Sequence, residues 1–96
     1  MKEEVPTLNT DYKRYASMMK ALGDESRLKI FDMLRSNGEL CACKVLEEFQ
    51  ITQPTLSYHM KILCDCGLVI GRRDGIWMKY TVDQGEFDRL KSFIDS

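Results

Sequence analysis

Apolar residues recur along this chain in short stripes separated by polar or glycine-bearing breaks. Leu8, Tyr12, Tyr15, Met19 and Leu22 are spaced by fours and threes, the period of one helical face, and Gly23 ends the pattern. Asp24 is placed to cap a second helix carrying Leu28, Ile30, Phe31 and Leu34. That helix should stop at Asn37-Gly38, where glycine accepts the left-handed conformation of a helix end. Residues 39–41 leave room only for a small strand. Val45, Leu46 and Phe49 then share one face of a short third helix, and Gln50-Ile51 makes a brief break. Thr52 reads as the N-cap of a fourth helix, which tolerates Pro54 in its first turn and runs to about Cys66 before Gly67. Residues 68–70 and 76–82 are β-prone, and Asp74-Gly75 between them is a hairpin-turn signal. Phe87, Leu90, Phe93 and Ile94 mark a last helix.

Two helices a few residues apart, the second opening on small polar residues, form a helix-turn-helix, and the hairpin behind them is its wing. The expectation is a mainly α fold with a small β-wing: a winged helix-turn-helix of about five helices plus a two- to three-stranded hairpin sheet. With no internal repeat, low-complexity tract or linker, residues 1–96 read as a single domain. The apolar stripes of the first and last helices are wide for so small a domain, which predicts that they meet their symmetry mates in a homodimer.

Composition changes this picture little: 44% apolar and 30% charged residues describe an ordinary globular domain with a modest core. A polar, acidic N-terminus and the lack of any long apolar run predict neither a secretory signal nor a membrane span, hence a cytoplasmic protein. In that reducing compartment four cysteines read as thiols, open to metal or redox chemistry, and they come as two C-x-C pairs, Cys41/Cys43 and Cys64/Cys66. The net charge of −1 is uneven. Residues 52–80 carry four cations against two carboxylates, which suits a specific nucleic-acid binder with few phosphate contacts.

At about 100° per residue, Leu56, Met60 and Leu63 fall on one face of the fourth helix, while Ser57, Tyr58, Lys61 and Asp65 fall on the other. Gln53 and Thr55 project from its first turn. Amide and hydroxyl groups at the start of a recognition helix match the donor and acceptor code of the major groove, so Gln53, Thr55, Ser57 and Tyr58 are the candidate base readers. Lys61 and the wing residues Arg72, Arg73 and Lys79 are the candidate phosphate contacts, which orient without reading sequence. His59, the only histidine, falls toward the buried side and reads as a packed, hydrogen-bonded residue.

These residues resemble the ArsR/SmtB group of winged-helix metal-sensing repressors. Ala21-Leu22-Gly23-Asp24-Glu25-Ser26-Arg27-Leu28-Lys29-Ile30 is similar to the family's opening motif, and Glu39-Leu40-Cys41-Ala42-Cys43 to its arsenic box. Thr52-Gln53-Pro54-Thr55-Leu56-Ser57-Tyr58-His59-Met60 resembles its recognition helix. Gly67-Leu68-Val69 with Arg72-Arg73-Asp74-Gly75-Ile76-Trp77 resembles its wing. The resemblance implies a homodimer built from the first and last helices. It would bind an inverted repeat in double-stranded operator DNA with no cofactor and repress a resistance operon until an inducer reaches Cys41 and Cys43. Arsenic sensors of the best-known type carry a third cysteine where this chain has Leu46, which leaves Cys64, Cys66 or an external thiol to complete the site. The last helix lacks the histidine of the family's zinc sensors, and no cysteine precedes Cys41 as in its cadmium and lead sensors. Soft thiolates without imidazoles suit arsenite, antimonite or Cu(I).

Residues two apart point about 200° apart in a helix and lie roughly 6.6 Å apart in a strand, so neither regular geometry puts Cys41 and Cys43 on one ion. Capture should therefore bend the start of the third helix and couple to DNA release. Oxidation of the same pair would distort the same turn, which makes a thiol-redox-responsive repressor the alternative. A C-x-C thiol oxidoreductase is a remote one, because no phosphate loop, nucleophile-flanking histidine or paired carboxylate accompanies the thiols.

Overall fold

The computed structural model describes residues 10–96, so Leu8 lies outside the described residues. The elements run α1 (Tyr12–Leu22), α2 (Glu25–Asn37), β1 (Leu40–Cys41), α3 (Ala42–Phe49), α4 (Gln53–Asp65), β2 (Val69–Asp74), β3 (Trp77–Val82) and α5 (Gln84–Asp95). This is the winged helix-turn-helix expected from the sequence. Each boundary has a local cause. Asp11, Asp24, Thr52 and Asp83 each accept the backbone N–H of the third residue on, satisfying a donor that the first turn leaves unpaired. Gly38, at φ 75°, carries the chain out of α2.

The three strands are antiparallel in the order β1-β3-β2. Asp74 is the last residue of β2 and pairs with Trp77, so the two-residue loop is Gly75-Ile76 and not Asp74-Gly75. Gly75 has φ 66° and Ile76 no positive φ, the arrangement of a type II′ turn with glycine in its first central position. Polar Arg72, Arg73 and Asp74 continue the strand past its apolar start, which is why the apolar pattern ended it early. Paired residues share a face of the sheet. Leu40, Tyr80 and Gly71 therefore lie on one side, and Cys41, Lys79 and Arg72 on the other. Gly71 is open for a reason: a Cβ there would come within 3.0 Å of Cε1 of Tyr80.

Met18 and Ala21 of α1, Ile30, Phe31 and Leu34 of α2, Val45 of α3, Leu56, Met60 and Leu63 of α4, and Leu68, Val69 and Leu90 form one buried cluster. The stripe of α1 is turned by one residue from its expected place: Met18 is buried and Met19 exposed. Leu28 on α2 is also exposed. Tyr15 stacks on Phe93 at 4.7 Å between ring centroids, tying α1 to α5, and Arg14 and Arg89 flank the buried Glu86. Tyr12, Met19 and Ile94 remain uncovered beside this seam. No helix among the described residues is long and apolar enough to cross a membrane.

Leu63 is fully buried on the core face of α4. Leu63→Ala should lose about 2–5 kcal/mol of stability in urea unfolding at fixed protein concentration. A loss below ~1 kcal/mol contradicts this placement of the core.

Candidate nucleic-acid interface and thiol pair

The turn between α3 and α4 spans residues 50–52, and Gln50 makes it sharp by adopting the left-handed conformation at φ 49°. Helix α4 then lays Leu56, Met60 and Leu63 on the core and keeps Gln53, Thr55, Ser57, Tyr58 and Lys61 exposed. The Thr52 hydroxyl donates to Oγ1 of Thr55 at 2.9 Å, which leaves the Thr55 O–H free to donate outward.

His59 is buried, as its helical position suggested, and its partner is one the sequence reading did not find. Arg27 of α2 approaches Nδ1 of His59 with Nη1 at 3.3 Å, while its Nε donates to the carbonyl of Ala21 at 2.8 Å. Arginine has only donors, so Nδ1 accepts and the ring proton belongs on Nε2. One side chain thus fixes the end of α1, the start of α2 and the middle of α4. The signal was Arg27 itself, a residue of the opening motif with no role in a solvated helix face.

The wing cations do not form one patch. Arg73 alternates with Arg72 along β2 and so shares the Tyr80 side of the sheet, facing α4. Arg72 and Lys79 are direct cross-strand partners on the opposite side. Three of the four candidate phosphate contacts already have carboxylate partners. Lys61 meets Asp65 at 2.9 Å, Lys79 meets Asp74 at 2.8 Å, and Arg72 meets Glu39 through two bonds of 2.7 and 2.8 Å. These hydrogen bonds hold Glu39 and Asp74 below the ordinary carboxylate range and raise Lys61, Lys79 and Arg72. Arg73 has no carboxylate at ion-pair distance among the described residues.

Cys41 and Cys43 are brought together, and the reason corrects the expectation drawn from regular geometry. Cys41 is the N-cap of α3, with extended φ −71° and ψ 143°, whereas Cys43 is already helical. The chain changes conformation between them. The Sγ of Cys41 accepts the backbone N–H of Cys43 at 3.3 Å, doing the work of a capping oxygen, and this sets the two thiols in one turn of the chain. The neighbouring Cys43 thiol, as a donor, is the first cause that lowers Cys41 below an ordinary thiol, helped by the backbone N–H groups of Cys43 and Lys44 and by the charge of Lys79. Cys43 is raised for the complementary reason: its proton is held on Cys41, and a second thiolate would stand beside the first. Two soft donors thus share the first turn of α3, one of them acidified. Among the described residues no third His, Cys, Asp or Glu completes a metal-holding cluster. Cys64 lines a cleft with Tyr80, Met78 and Gly71, on the far side of the sheet from Cys41. Cys66 donates to the carbonyl of Leu63 at 3.2 Å and faces α1. Burial pushes both of these thiols up.

Residues 24–70 match the family described as bacterial regulatory protein, arsR family. The arsenical resistance operon repressor of Staphylococcus aureus is 58% identical over 79 residues, covering 82% of this chain and 75% of that protein. That of Staphylococcus xylosus is 46% identical over 84 residues, covering 88% and 80%. The chain belongs to the arsR family. A solution structure from Mycobacterium bovis, described as a homodimeric winged helix-turn-helix DNA-binding domain and a possible ArsR-family regulator, superposes with a TM-score of 0.76. It is 25% identical and covers 99% of this chain and 87% of its own. Relatives and fold are those of a DNA-binding transcriptional repressor, not of an enzyme.

For this arsR-family chain, alkylation by iodoacetamide followed peptide by peptide should begin at Cys41, at lower pH than at Cys64 or Cys66. Cys43→Ala should remove most of that lead, because the donor on the Cys43 side chain is its first cause. Earlier labelling of Cys64 contradicts the assignment.

Proposed function

We propose that this chain is a cytoplasmic homodimer that represses an arsenical resistance operon and leaves its operator when arsenite or antimonite is captured by Cys41 and Cys43. The observation that carries this reading is the pair of thiols at the N-terminus of α3, where Cys41 caps the Cys43 N–H, on the helix that precedes α4. Gln53, Thr55, Ser57 and Tyr58 read base edges in an inverted repeat of double-stranded DNA. Lys61, Arg72, Arg73 and Lys79 hold phosphates, and no cofactor is needed for binding. The uncovered Tyr12, Met19 and Ile94 beside the Tyr15–Phe93 stack supply the dimer seam.

The thiol pair holds the inducer with two sulfurs, and a small external thiol completes the set, since Cys64 and Cys66 face other elements. What the chain contributes is a poised thiolate on Cys41 and the cap it makes with the Cys43 N–H. A sulfur turned toward a captured ion is a poorer cap, which shifts the start of α3 and with it the seat of α4. A low thiol beside a second thiol also favours the redox reading, which is tested alongside.

Fluorescence anisotropy on the promoter of its own operon, with arsenite, antimonite, Zn(II), Cd(II), Cu(I) and peroxide added in turn, tests this function. Arsenite and antimonite should release the DNA; release by peroxide alone transfers the function to oxidation. Cys41→Ser and Cys43→Ser should keep operator binding and lose release by arsenite, and a double variant released at the parent's arsenite concentration sinks the reading.

Gln53→Ala or Ser57→Ala should cost about 1–3 kcal/mol of discrimination at one base position if a bidentate contact is lost. Arg73→Ala should cost more affinity than Lys61→Ala or Lys79→Ala and flatten the salt slope by about one unit, because Arg73 gives up no internal carboxylate on binding. Equal losses in all three variants contradict the ion-pair argument.

A further inference from the structure

Arg72 and Glu39 form the one bidentate ion pair among the described residues. Exposed ion pairs contribute little to folding, yet this one is bidentate, at 2.7 Å from Nε and 2.8 Å from Nη2. Glu39 directly precedes β1, and Arg72 lies on β2, with β3 between them. Its carboxylate therefore reaches across the middle strand and straps the two outer strands together. The bond uses two of the five guanidinium N–H groups, and both N–H groups of Nη1 stay free. Glu39 is also two residues from Cys41, on the same strand edge, and Cys41 pairs directly with Lys79, the cross-strand partner of Arg72.

We infer that Glu39 is a positioning residue. It fixes the plane of the Arg72 guanidinium so that Nη1 meets an operator phosphate, and it carries any displacement of Cys41 to that contact. The inference rests on the proposed reading of Arg72 as a phosphate contact and of Cys41 as an inducer ligand. Its content is the connection between them. When Cys41 is drawn toward a captured ion, the backbone of β1 moves, Glu39 moves with it, and Arg72 loses its alignment while the wing itself stays folded on β3. A strap of this kind needs no displacement of the recognition helix, so it acts beside the shift of α3 and not through it.

The test is a cycle of Glu39→Gln, Arg72→Ala and the double variant, each titrated onto an operator duplex with and without sodium arsenite. Arsenite uptake is counted as loss of titratable thiols. Without arsenite, Glu39→Gln and Arg72→Ala should each weaken binding about two- to tenfold, the size of one hydrogen-bonded contact, and the double variant should be no worse than Arg72→Ala. Both single variants should flatten the salt slope alike. With thiols fully loaded, the factor by which arsenite weakens binding should fall in Glu39→Gln and fall no further in the double variant. A merely structural carboxylate gives none of this pattern. Tighter operator binding by Glu39→Gln, additive losses in the double variant, or an unchanged release factor at full thiol loading overturns the inference. If the parent protein is not released by arsenite, the functional reading is what fails, and the strap is then judged on the arsenite-free cycle, where additivity overturns it.

Discussion

The structure depends on a ladder two residues long. Leu40 pairs with Tyr80 and Cys41 with Lys79, and through these two pairs β1 joins the wing to the helical body. Leu40 packs against the core on one side of the sheet, while Cys41 on the other side caps α3. Such a short strand has few hydrogen bonds to lose, and elements that move in regulation come from the least protected end of a structure. Placing the thiols on a longer strand would bury the effect of capture in pairing energy. Placing them in a free loop would leave nothing for capture to move.

Helix α4 meets the opposite requirement. In the proposed function it presents Gln53, Ser57 and Tyr58 to a groove at fixed height and angle, and its other face is held three ways: by Leu56, Met60 and Leu63 in the core, by the Thr52 cap, and by Arg27 against His59. The polar lock adds what apolar packing does not. Packing resists separation of helices but tolerates small rotations, whereas the acceptor on His59 and the fixed fork of Arg27 define an angle. The rigid reader and the yielding strand therefore lie side by side, and α3 and the residue 50–52 turn connect them.

Most of the fold could be read from the sequence because its signals are local: caps three residues from their N–H partners, glycine at helix ends, and the period of the α4 face. What escaped was non-local or changed conformation within a few residues. Glu39 and Arg72 are 33 residues apart and Arg27 and His59 are 32 apart, separations over which no periodicity carries information. The one-residue turn of the α1 stripe came from two adjacent methionines, Met18 and Met19, which periodicity cannot rank. The capping bond between Cys41 and Cys43 is invisible to periodicity because the two residues do not share one regular geometry. A cap is the place where an extended residue and a helical one are neighbours.

The ion pairs finally set what kind of DNA binder this charge distribution makes. A cation that leaves an internal carboxylate for a phosphate exchanges one anion for another, and the abandoned carboxylate gathers counterions of its own. Lys61 and Lys79 gain little from any phosphate they meet, since Asp65 and Asp74 are surrendered in return. In the inferred strap Arg72 keeps its carboxylate and offers only the donors that remain. Under the proposed function, the charge-driven part of binding, which is the same for every sequence, is kept small, and the margin between operator and random DNA falls to the base edges offered to the first turns of α4. In a protein with a net charge of −1, the proposed function therefore rests on fit to one site more than on charge, and a modest loss of fit would be enough to end binding.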